Sequence, residues 1–125
     1  MTDLVTWHGG SGAEYKYWAM EVGGHFSGVD GNYIWAKKND SGWWEAVYIG
    51  QGDLATGTSV VEHYKGDVIM SKGATHIMVR ANSNLDARLM EWADLLKGHP
   101  EAYEPEGCNG SGKKSTARRL LQRNA

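Results

Sequence analysis

Apolar and polar positions alternate in short, strand-like runs through the middle of the chain and settle into a clear helical period only near residue 85. Residues 32–38 and 43–49 are two such runs, separated by the turn-forming tetrad Asn39-Asp40-Ser41-Gly42. A loop centred between Asp40 and Ser41 pairs Lys38 with Trp43, Ala36 with Glu45 and Tyr33 with Tyr48. Directly opposed residues share one face of a sheet, with β-carbons about 5 Å apart, so this turn sets Tyr33 opposite Tyr48. Residues 58–65 read as a short helix ended by Gly66, and residues 75–80 as a third strand. Over residues 84–97, Leu85, Leu89, Trp92 and Leu96 form an apolar stripe. Asn84 or Ser83 can cap that helix, and Gly98 and Pro100 stop it. Glu91 projects about 160° from Leu89, beside Asp94, where a glutamate is usually solvated.

The order β-β-α-β-α predicts an α+β fold, a small sheet with helices packed on it. Residues 1–30 read as a lead-in. Gly9-Gly10-Ser11-Gly12 is its loosest part, and the aromatic-rich residues 14–22 are a candidate edge strand or short helix. Residues 31–109 make the domain, and residues 110–125 a basic tail expected to be disordered. At 125 residues the chain suits one domain with a modest core. No apolar run approaches the roughly 18–20 residues of a membrane span. The single cysteine, Cys108, cannot form an internal disulfide, and no basic stretch leads into an apolar one at the N-terminus, so the expected location is cytoplasmic. His8, His25, His76 and His99 have no metal-ligand spacing.

Charge changes the picture. Lys113, Lys114, Arg118, Arg119 and Arg123 crowd the tail without an acid, leaving residues 1–109 eight basic groups against all 15 acids. The body therefore carries about −7, and the tail is the better electrostatic match for a nucleic-acid backbone. Two phosphate-loop look-alikes, in residues 50–55 and 107–114, lack the flanking elements such loops need.

Gly31-Asn32-Tyr33 followed by Tyr48-Ile49-Gly50 resembles the two tripeptides that name the GIY-YIG nuclease superfamily, with Asn32 where isoleucine or valine is usual. The order of later residues extends the likeness: Leu54, His63, a third strand, a helix bearing Glu91, then Pro105 and Asn109. It spans residues 31–109. The resemblance implies a small, mainly antiparallel three-stranded sheet flanked by helices, and metal-dependent cleavage of a DNA phosphodiester. Carried over, Tyr33 would meet the attacking water as hydrogen-bond partner or general base, and Tyr48 would orient water and phosphate. His63 matches the superfamily's His or Tyr position. Glu91 would ligate one Mg²⁺ or Mn²⁺ ion, and Asn109 is a late structural or catalytic asparagine.

One departure bears on turnover. The superfamily places an arginine between the second tripeptide and the His position, whereas residues 49–62 contain neither Arg nor Lys. A guanidinium clamps phosphate in a bidentate fork, which glycine or serine cannot replace. Arg80, Arg88 and Lys65 are the candidates to reach the site instead. Two functions from different classes follow: a metal-dependent endonuclease, or a catalytically inactive module binding nucleic acid or a protein partner. With no resemblance invoked, Tyr33 and Tyr48 are equally an aromatic cross-strand pair, and an exposed aromatic surface suits a protein partner.

Overall fold

In a computed structural model that describes residues 3–110, the Asn39 turn sets the register of the central hairpin. Asn39 Oδ1 accepts from the amides of Ser41 and Trp43, and Gly42 takes a φ of +85°, which a side chain would resist. Strands β3 (Asp30–Lys38) and β4 (Trp44–Asp53) leave this turn with Lys38 opposite Trp44, one residue later than the turn tetrad predicts. A bulge then inserts Val47, so Trp35 opposes Tyr48 and Tyr33 opposes Gly50. Tyr33 and Tyr48 are therefore not directly opposed. They are diagonal neighbours on one face, since Tyr48 lies two residues from Gly50. The bulge also explains why the adjacent Val47 and Tyr48 pack into the same core cluster.

Five antiparallel strands make the sheet, not three. Ahead of the hairpin come β1 (Asp3–His8) and β2 (Glu14–Glu21), and after it β5 (His76–Ala81), in the order β1-β2-β5-β3-β4. Residues 1–30 carry two strands that pair with each other: the strand alternative for residues 14–22 holds as β2, which lies inside the sheet against β5, and β1 is the edge. The three strands expected from sequence form the contiguous unit β5-β3-β4 within this larger sheet. The class is α+β, with three α-helices among the described residues.

Each face of the sheet is covered differently. Helix α3 (Leu85–Gly98) packs Trp92, Leu95 and Leu96 onto Tyr17, Ala19, Ile34, Ile49 and Met78. Asn84 caps it by accepting from the Ala87 amide. Its buried positions are Arg88, Glu91, Trp92, Ala93, Asp94, Leu95 and Leu96, while Leu85 is 54% exposed. Of the apolar stripe read from sequence, Trp92 and Leu96 pack as expected, whereas Leu89 is half-buried and Leu85 faces out. On the other face, α1 (Leu54–Gly57) and α2 (Gly66–Ser71) cover Tyr33, Trp35, Val47, Tyr48 and Ile77. Residues 58–65 are turns between these helices and not a helix. Gly66 opens α2 because a Cβ there would collide with the Val60 carbonyl oxygen. A 3-10 turn (Pro100–Ala102) leads into residues 103–109, which return along the outer edge of β4. No helix among the described residues is long and apolar enough to cross a membrane. Lys113, Lys114, Arg118, Arg119 and Arg123 lie outside the described residues.

Candidate functional site

Tyr33 is seated by two glycines. Its ring lies against Gly50 and Gly57, where an added Cβ would overlap ring carbons. Gly50→Ala is accordingly expected to destabilise the fold by about 1–3 kcal/mol through overpacking. Chemical denaturation would read that loss, and an unchanged midpoint would mean the ring is free to move aside. Beside Tyr33 the Tyr48 ring stacks at 6.2 Å, with 25° between planes. The edge of His63 meets both rings, at 5.8 Å and 4.9 Å. Three of the residues predicted from sequence therefore converge.

Hydrogen bonds fix which of these groups can donate. The Lys65 amide donates to His63 Nδ1 at 3.0 Å, so Nδ1 carries a lone pair. The proton of the neutral ring sits on Nε2, which lies 3.0 Å from the Tyr33 hydroxyl oxygen. His63 therefore donates to Tyr33, and the Tyr33 O–H is left to donate elsewhere. Burial, reinforced by the Lys65 ammonium, lowers the His63 pKa and favours this neutral ring. Burial also raises the pKa of Tyr33 and Tyr48 well above the ordinary tyrosine value, with the Tyr64 hydrogen bond adding to it at Tyr48. Neither phenol is a general base near neutral pH; both are hydrogen-bond donors. Tyr48 and Tyr64 share a 3.0 Å bond between hydroxyls, which leaves one further O–H free to donate.

Lys65 brings positive charge to this cluster. Its ammonium lies 6.0 Å from the Tyr48 ring centroid and 5.8 Å from that of Tyr64. It also donates to the Cys108 carbonyl and stands 3.8 Å from a Glu104 carboxylate oxygen. Lys37 and Lys72 are close by, bonded to the Lys72 and Pro105 carbonyls. All three ammonium groups act on the buried Cys108 thiol, which burial nevertheless pushes above its ordinary value. A cleft of about 360 Å³ opens beside Tyr33, His63 and Tyr64, with Asp53 and Glu62 also lining it. The Asp53 carboxylate is held by the Thr56 amide and hydroxyl.

Asn109 is tied to the site only indirectly. Its Oδ1 accepts from the Ile49 amide at 2.9 Å, and its Nδ2 donates to the Ile49 carbonyl at 3.0 Å. With Cys108 donating to the Val47 carbonyl, it closes the outer edge of β4. It is a structural asparagine that fixes the carbonyl Lys65 holds.

Glu91 departs from the sequence expectation twice. It is buried at 4% exposure, not solvated, and it lies across the sheet from the tyrosines. Val79 opposes Tyr33 and shares its face, so the neighbouring Arg80 points to the α3 side, where its Nε is 3.1 Å from Glu91 Oε1. The Tyr17 hydroxyl donates to Glu91 Oε2. Burial raises the Glu91 pKa, outweighing Tyr17 and Arg80, which act to lower it. Arg88 occupies the same face, donating to Gln51 and to the Asn82 carbonyl. Of the three candidates to replace the missing arginine, Lys65 alone reaches the tyrosines.

The ion that the resemblance implies does not fit these donors. Both Glu91 oxygens are engaged on the far face, and no group of three or more His, Cys, Asp or Glu gathers to hold a metal among the described residues. Sequence reasoning missed Tyr64 and Tyr17. Tyr64 adjoins His63 in a turn that was expected to be helical, and Tyr17 sits in the supposed lead-in. No family model matches the chain, and no curated protein or solved structure matches it.

Proposed function

We propose that the chain is a cytoplasmic, GIY-YIG-like domain that binds nucleic acid, DNA foremost, through its phosphates without cutting it. One observation carries this reading. Hydroxyl donors of Tyr33 and the Tyr48–Tyr64 pair gather with the Lys65 ammonium on one face, while Glu91 is sealed beneath α3 on the other. An ammonium only donates, and phenols whose oxygens already accept from neighbours keep an O–H to donate, so together they suit an anion. Lys65 at the tyrosines, with Lys37 and Lys72 acting on the neighbouring Cys108, offsets the acidic body locally. The basic residues after position 110 add sequence-independent attraction. Glu62 and Glu104 act against it, so affinity at this site is modest.

A labelled single-stranded DNA followed by fluorescence anisotropy tests this. Binding should weaken with salt, and Lys65→Ala should cost about tenfold, the worth of one charge-assisted hydrogen bond. Removing residues 111–125 should flatten the salt dependence. Plasmid incubated with Mg²⁺ or Mn²⁺ should stay uncut. Metal-dependent nicking that Glu91→Gln abolishes in a folded protein would restore the endonuclease reading. A protein partner is the second reading, favoured by Leu4 and Trp18, which oppose each other on β1 and β2 at 51% and 53% exposure.

A further inference from the structure

The bond from the Lys65 amide to His63 Nδ1 ties the phosphate-binding groups to the protonation state of one ring. We propose that His63 is a positioning residue whose protonation releases Lys65 and Tyr64, so that nucleic-acid binding falls on acidification. This rests on the phosphate-binding reading above and assigns a regulation to that site. The direction is unusual. Acidification ordinarily strengthens phosphate binding, because protonation adds positive charge.

The chemistry is local. A proton on Nδ1 would point at the Lys65 N–H, turning an acceptor–donor contact into two opposed donors. Residues 63–65 must then shift, or the ring must turn and give up Tyr33. The first separates Tyr64 and Lys65 from Tyr33 and Tyr48, and the second gives up the bonds that hold residues 63–65 to Tyr33, freeing them to move apart. The groups facing the ring are Tyr33 and Trp35 from β3, Tyr48 from β4, and Tyr64 and Lys65 from its own turn. Among them only Lys65 carries charge, and it opposes an imidazolium. Asp53 and Glu62 share the cleft and favour one. Asp53 is already bonded to Thr56, which leaves Glu62 as the main counterweight. Burial and Lys65 together hold the folded ring neutral to lower pH than a free histidine, whose midpoint is near 6.5. The contribution of the neutral ring to stability is thus complete above about pH 6.5 and is lost as pH falls through the lower folded value.

Anisotropy with labelled single-stranded oligothymidylate, at fixed ionic strength from about pH 7.5 to about pH 5, tests this across the window. Wild-type affinity should fall roughly tenfold, as expected for losing one charge-assisted bond to phosphate. His63→Gln, compared only with itself, should give a flat or rising profile. Parallel profiles for the two proteins, or a rising wild-type profile, overturn the switch and leave the phosphate site standing. Wild-type affinity in Lys65→Ala at neutral pH overturns the site and the switch together. Should His63→Gln fail to fold, ¹⁵N spectra of the wild type decide. The Lys65 amide must move with the His63 ring titration, and an amide that ignores it overturns the proposal.

Discussion

Asn109→Ala is expected to cost about 2–4 kcal/mol of folding stability, roughly 8–16 °C in Tm for a domain of this size. The asparagine does for Ile49 what a neighbouring strand would do, accepting from its N–H and donating to its C=O. Alanine removes both bonds at a position only 1% exposed, so the Ile49 amide is left without a partner and without water. The loss should spread to the binding face. Cys108 would be less firmly held on β4, and with it the carbonyl that anchors Lys65. Thermal melts by circular dichroism would measure the effect, and a change under about 0.5 kcal/mol would show the edge is closed by other means.

Glu91→Ala should be more damaging still, at about 3–5 kcal/mol, because it removes one partner from a buried charged set. Tyr17, wholly buried, would lose the acceptor for its hydroxyl, and Arg80 would lose its carboxylate. Glu91→Gln should be milder, since the carboxamide oxygen can still accept from Tyr17. The two variants also set a pH signature. The folded pKa of Glu91 is raised by burial, so the carboxyl's favourable contribution is complete below its ordinary value near 4.5 and fades as pH rises through the folded value. The stability of the wild type relative to Glu91→Gln should therefore decline from acid toward neutral pH. Melts at several pH values check this, and a gap that widens toward neutrality would mean that Tyr17 and Arg80 outweigh burial. Activity assays on Glu91→Ala are interpretable only beside such melts.

The hairpin was legible because its signals are local. Asn39 and Gly42 dictate a turn, and the β-rich runs on either side dictate strands. Its register was not, since the Val47 bulge answers to packing: it turns Val47 and Tyr48 together onto one face. The α3 boundaries followed from Asn84 and Gly98, and Trp92 and Leu96 on the packed face from periodicity, but the acids beside them did not. Apolar periodicity cannot foresee that Glu91 and Asp94 turn inward when hydroxyls await them. Those hydroxyls belong to Tyr17 and Tyr15, with Ser11 also bonded to Asp94. They sit on or just before β2, which after a glycine-rich stretch reads only as an edge strand or short helix, because its pairing to β5 is distant in sequence. Tyr33, Tyr48 and His63 were found from motif order. Lys65 was named as one candidate among three, and only the fold of residues 58–65 distinguishes it.

The pairing of β2 with β5 also shapes how the chain is made. Trp18 and its partner Val79 are about 60 residues apart, so at a synthesis rate of roughly 5–20 residues per second β2 waits several seconds for its neighbour. Until then Tyr17, Trp18 and Ala19 have no sheet to join beyond β1. The nascent chain thus carries a half-made, aromatic-rich hairpin while those roughly 60 residues are added. Such a segment invites misassembly and chaperone binding, and it makes the yield of folded protein depend on how quickly residues 76–81 emerge.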